Sequence, residues 1–161
     1  CSSDLVAEES TPVIKGVGGG NLLFLARDTA AALAVAEAAV AAMRAVPDVI
    51  LPFPGGVVRS GSKVGSRYPA LGASTNDAFC PALTGLARRS ALDGRIGSVM
   101  EIVIDGLSEA AVAEAMRAGL RAATGLGEPA GLLRIAAGNY GGKLGPFHFH
   151  LHRCLPGAEA A

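Results

Sequence analysis

Ser98-Val99-Met100-Glu101-Ile102-Val103-Ile104, running into Gly106-Leu107-Ser108, decides how this chain folds. The first stretch is apolar and rich in β-branched residues, broken by one glutamate, and reads as a strand. Ser108 then stands where a helix needs its N-cap. That helix is expected to run to about Ala123, with Val112, Met116 and Gly119 on the buried side, Glu114, Arg117 and Arg121 on the wet side, and Gly125 ending it. Leu132–Ala136 reads as the return strand. The same succession stands earlier in the chain. Leu22–Ala26 is a strand, Asp28 caps a helix from Thr29 to about Val46, and Asp48–Leu51 resumes extended chain after Pro47. In that helix Leu33, Ala36, Val40 and Met43 mark the packed side, and Glu37 and Arg44 the polar side. Leu144–Leu151 adds an expected edge strand.

Strand, helix, strand, repeated, predicts an α+β fold: a ferredoxin-like split βαβ sandwich, with an antiparallel sheet and two helices on one face. A doubly wound parallel sheet is the rival, but two helices are too few to cover both of its faces. Between the two halves, Pro52–Arg95 is rich in Gly, Ser, Pro and Arg and too long for an ordinary connection, which marks it as functional or disordered.

Composition sets the class. The chain has 161 residues, half of them hydrophobic, which suits one domain with a real core and excludes disorder. Fourteen Lys and Arg balance fourteen Asp and Glu, leaving no basic footprint for nucleic acid or an acidic membrane. Apolar runs such as Ala30–Ala36 stop at Glu37, far short of the roughly 18 residues of a membrane span. Three widely spaced cysteines, Cys1, Cys80 and Cys154, argue against a disulfide framework and point to a reducing, cytoplasmic setting. Residues 1–8 carry no periodic pattern and no leader pattern. With no initiator Met, the chain is expected to start partway through a longer protein.

Glu101 is the most informative side chain. Strand alternation sets it with Val99 and Val103 on one face, among apolar groups, where desolvation favours the neutral acid and suits it to protonate a developing oxyanion. The bland alternative is a solvent-facing glutamate on the open side of the sheet. Gly16-Val17-Gly18-Gly19-Gly20-Asn21 can cradle an anion on bare backbone N–H groups, or can be a bend where segments pack closely; no Walker lysine follows it. His148, His150 and His152 would share a face if they alternate on a strand, and such a row can hold zinc. No carboxylate stands near them before Glu159, so surface histidines are the favoured reading and no metal site is assigned. Ser60–Ser66, Ser74-Thr75-Asn76-Asp77 and Asn139–Lys143 gather polar groups suited to a ligand with several hydrogen-bonding edges, or to a solvated loop.

Several stretches together resemble one family: Pro52-Phe53-Pro54-Gly55-Gly56, Ser62-Lys63-Val64-Gly65-Ser66, Ala73–Pro81, Glu101–Leu107 and Ala137–Gly145. From about Glu9 to Arg153, in order, the chain is similar to formylmethanofuran:tetrahydromethanopterin formyltransferase. The resemblance implies an enzyme of one-carbon metabolism, built from two similar α+β lobes and assembled as a homo-oligomer, dimer or tetramer. Residues 9–153 would be its C-terminal, distal lobe and 154–161 a tail, with an N-terminal lobe missing. Bacterial relatives look like parts of a formyltransferase/hydrolase complex. Methanofuran and tetrahydromethanopterin would be the carrier substrates, with no tightly bound cofactor. The likeness assigns the acid role to Glu101. Carrier binding would fall to Asn21, Ser62, Lys63, Ser74, Thr75, Asn76, Asp77, Asn139 and Lys143, polar residues inside the matching motifs. A non-catalytic module that keeps the fold is the second reading.

Overall fold

A computed structural model describes residues 9–61, 76–85, 90–138 and 146–154. Five strands and two long helices dominate them: β1 (Val17–Ala26), α1 (Thr29–Arg44), β2 (Val49–Ile50), β3 (Val58–Arg59), β4 (Ser98–Gly106), α2 (Glu109–Leu126) and β5 (Leu132–Ala136), followed by the short α3 (Leu151–Cys154). The sheet runs β2-β4-β1-β5, with β3 also on β4, and every pairing is antiparallel. This is the expected ferredoxin-like sandwich, with α1 and α2 against one face.

Both expected caps are present. Asp28 accepts the Ala31 N–H at 2.8 Å and Ser108 accepts the Ala111 N–H at 3.1 Å, each satisfying a donor the helix itself cannot. Leu22 and Phe24 of β1 and Ile102 and Ile104 of β4 face the helices, where they meet Val35, Val40 and Met43 of α1 and Val112, Met116 and Leu120 of α2. The opposite residues, Leu23, Leu25 and Val99, form a second apolar layer with Ile96, Phe79, Leu92 and Leu133. Arg134 of β5 helps to hold that cover. Its Nη2 donates to the Ala91 carbonyl at 2.5 Å and its guanidinium lies 6.0 Å from the Phe79 ring centre.

Four local expectations change. Leu33 is 39% exposed, because the buried stripe of α1 is Ala32, Val35, Ala36, Ala39, Val40 and Met43, one step round the helix. Gly125 does not end α2; a helical glycine there is tolerated, and the stop comes at Gly127, whose φ of 56° only glycine adopts readily. Residues 146–150 are not a strand, and the segment closes in α3. Pro146 has no N–H to give to a ladder, which explains the loss. Finally, the long middle segment is not structureless: β3 pairs Val58 with Glu101 and Arg59 with Met100.

Candidate functional site

The site is built where β1 and β4 run side by side. Their register sets Leu23 opposite Glu101 and Asn21 opposite Val103, so Asn21 and Glu101 are diagonal neighbours on the face away from the helices. Glu101 is 8% and Asn21 7% exposed, which excludes the solvent-facing alternative for the glutamate. The Asn21 Nδ2 donates to Glu101 Oε1 at 2.9 Å. Its Oδ1 accepts the N–H of Gly138 at 2.5 Å, just past the end of β5. A buried carboxyl is thus held in one orientation by a neighbour that is itself held, an arrangement suited to delivering or receiving a proton at a fixed place.

A second buried polar pair sits one rung along. Ser60, fully buried after β3, gives its N–H to the Val99 carbonyl at 3.1 Å, and its Oγ accepts from Asn76 Nδ2 at 3.0 Å. Asn76 is therefore brought to the edge of β4 that carries Glu101. Asp77 follows it half-buried, its carbonyl accepting the Cys80 N–H at 3.2 Å. The other expected binding residues, Ser62, Lys63, Ser74, Thr75, Asn139 and Lys143, lie outside the described residues. The sequence grouped Ser60 with a polar stretch suited to a ligand or a solvated loop, and the chain after β3 instead holds it fully buried.

The glycine run resolves in favour of close packing. Val17–Gly20 belong to β1, and a register shift between Val17 and Gly20 makes a bulge at Gly19, whose φ is 92°. The Gly19 N–H is already used by Asp105 Oδ1 at 3.1 Å, and a Cβ on Gly20 would come within 2.5 Å of Val112 Cγ1. The run and Asn21 line a groove of about 800 Å³ together with Gly138, Phe147 and His148. The histidines do not form a row: His148 and His150 are in irregular chain, His152 is in α3, and all three are exposed. The rings of His150 and His152 are 5.4 Å apart, and among the described residues no three His, Cys, Asp or Glu side chains are grouped to hold a metal ion.

Residues 3–154 match the family profile described as FTR, proximal lobe, where the sequence led to the expectation of a distal one. The formylmethanofuran–tetrahydromethanopterin formyltransferase of Methylococcus capsulatus is 62% identical over 152 residues, covering 94% of this chain and 51% of the relative. A component of the formyltransferase/hydrolase complex of Methylorubrum extorquens is 58% identical over 153 residues, covering 94% of this chain and 49% of that protein. The chain spans about half the length of the curated relatives it matches. Among solved structures, the M. extorquens complex with methylofuran superposes with a TM-score of 0.77 at 60% identity, over 86% of this chain and 45% of that one. The formyltransferase of Methanosarcina barkeri gives the same TM-score at 41% identity, over 88% and 47%.

Proposed function

Because the chain belongs to the FTR family, matched through its proximal-lobe profile, we propose that it is one lobe of a longer formyltransferase, which moves a formyl group between formylmethanofuran and N5 of tetrahydromethanopterin. The observation that carries the chemistry is the buried Glu101 carboxyl, held by Asn21 at 2.9 Å in the middle of the sheet. In the reaction the pterin amine attacks the formamide carbonyl carbon, a new C–N bond forms, and charge develops on the carbonyl oxygen. A neutral Glu101 gives that oxygen a hydrogen bond or its proton. When the tetrahedral intermediate collapses, the carbonyl re-forms and any proton it took returns to Glu101, the C–N bond to methanofuran breaks, and the departing amine takes up the proton that the pterin N5 loses. The two carriers are substrates that enter and leave.

The rest of the proposal follows from what the relatives are. Residues 9–153 make the C-terminal of two lobes, and Asn76 and Asp77, with Ser62, Lys63, Ser74, Thr75, Asn139 and Lys143, supply carrier contacts. An assembly with hydrolase subunits fits a bacterial member, since the M. extorquens relative is a component of such a complex; a homo-oligomer is the further expectation. Among the described residues no helix is long and apolar enough to cross a membrane, and a cytoplasmic enzyme working on diffusible carriers fits that.

The test is formyl transfer from formylmethanofuran to tetrahydromethanopterin, measured for the full-length protein and for the 161-residue chain in parallel. Activity in the full-length protein alone supports a lobe of a shared site. A folded full-length protein without activity overturns the enzyme reading in favour of a binding or assembly module.

A further inference from the structure

We propose that Asn21 is a positioning residue that fixes which oxygen of Glu101 carries the acid proton. The inference rests on the reading of Glu101 as the acid. Asn21 stands inside a glycine-rich motif, which suggests a ligand contact, but its amide is engaged within the protein at both ends.

The orientation of that amide is dictated by its neighbours. The Gly138 backbone N–H can only donate, so the Asn21 atom 2.5 Å from it must be the carbonyl oxygen, Oδ1. The NH₂ group then points the other way, toward Glu101 Oε1 at 2.9 Å. An oxygen that receives that N–H is the acceptor oxygen of the carboxyl. In the neutral acid the proton accordingly sits on Oε2, the oxygen that Asn21 does not hold. Asn21 thus converts a carboxyl with two equivalent oxygens into an acid with one donor in one place, without touching the substrate.

The arrangement is fixed from three sides. The backbone of β1 holds Asn21 diagonal to Glu101. Leu23, fully buried, stands directly across from Glu101 in the register of the two strands. At Gly138 a Cβ would collide with the Asn21 amide, so the chain leaving β5 packs its bare backbone on the clamp. A side chain at this position must displace the Asn21 amide, so Gly138 is a second point from which the clamp can be disturbed.

Kinetics of the full-length enzyme test the inference with Asn21→Ser, Gly138→Ala, Glu101→Gln and the Asn21→Ser/Glu101→Gln pair. Asn21→Ser is expected to lower kcat roughly 10- to 100-fold while KM for each carrier stays within about twofold. In the Glu101→Gln background the same substitution should cost less than about twofold more, because its effect travels through the acid. Gly138→Ala, which pushes the amide from the other side, should show the same split, and it puts the question again if Asn21→Ser fails to fold. A raised KM for one carrier at unchanged kcat makes Asn21 a substrate contact and overturns the inference. So do losses that multiply in the double variant. A crippled Glu101→Gln beside a fully active Asn21→Ser overturns the inference alone, whereas a fully active Glu101→Gln removes the acid role itself and the inference with it.

Discussion

Gly97 packs its α-carbon against the backbone carbonyl of Arg27, with no room between them for a Cβ. Its N–H donates to the Ala26 carbonyl at 3.0 Å, so the approach to β4 is pinned to the end of β1. Gly97→Ala must move one backbone or the other and is expected to destabilise the fold by about 1–3 kcal/mol. Urea unfolding should show a lower midpoint with an unchanged slope. A midpoint equal to that of the parent would mean the contact yields freely.

Gly125 is the opposite case. It lies in the last turn of α2 with open space where a Cβ would go. Gly125→Ala should stabilise by about 0.5–1 kcal/mol, since alanine loses less backbone entropy on entering a helix. The same urea titration, run side by side with Gly97→Ala, reads the difference in sign.

The helix caps give a third expectation. Removing the acceptor in Asp28→Ala or Ser108→Ala leaves the Ala31 or Ala111 N–H without its partner, at a cost of about 1 kcal/mol each. The caps serve different helices, so the double variant should lose about 2 kcal/mol. Thermal and denaturant midpoints together check the sum.

Glu101→Gln in the full-length enzyme should reduce kcat by roughly 10²- to 10⁴-fold, the range for loss of a positioned acid, with a much smaller change in KM. Steady-state assays in which each carrier is varied in turn separate the two. Equal losses in kcat and in carrier affinity would instead describe a residue that shapes the pocket.

Cys154 gives an expectation in pH. It is buried at the end of α3, and burial pushes its thiol above the ordinary value of 9.0, with Arg117 pulling weakly the other way. The native state therefore favours the neutral thiol. That contribution is complete below the ordinary thiol value and is lost as pH rises through the raised one. Alkylation of Cys154 by iodoacetamide at pH 8 should be slow in the native protein and fast after denaturation, as peptide mass mapping would show.

What could be read from the sequence was what repeats with a short period or sits beside what it serves. Asp28 and Ser108 precede the helices they cap, and Ser98–Ile104 carries its own strand signal, so the sandwich and its two helices were legible. Val58–Arg59 was not, because a two-residue strand has no alternation to detect and exists only through its pairing with Met100 and Glu101. Leu144–Leu151 misled because it alternates hydrophobic and polar residues around Pro146, which cannot join a ladder. At the site, Glu101 and Asn21 were each picked out, yet their hydrogen bond spans 80 positions in sequence and depends on the register of β1 against β4. Local patterns do not contain that register.

The bulge at Gly19 also has a bearing on which length changes this strand can survive. Between Val17 and Gly20 the chain spends one more residue than β4 does between Ile104 and Gly106. That surplus shifts the phase of the alternation, so that Val17 and Leu22, an odd and an even position, both face the helices. Deleting Gly19 would remove that surplus and leave regular alternation, with Val17 and Leu22 still on the helix side and the pairing with β4 unbroken. A single deletion from Leu22 to Ala26 has no surplus to remove, so the parts of the strand on its two sides fall out of phase and one of them turns its helix-side residues outward. Library variants that lose one residue of β1 should therefore survive at the Gly19 bulge and fail through the regular part of the strand.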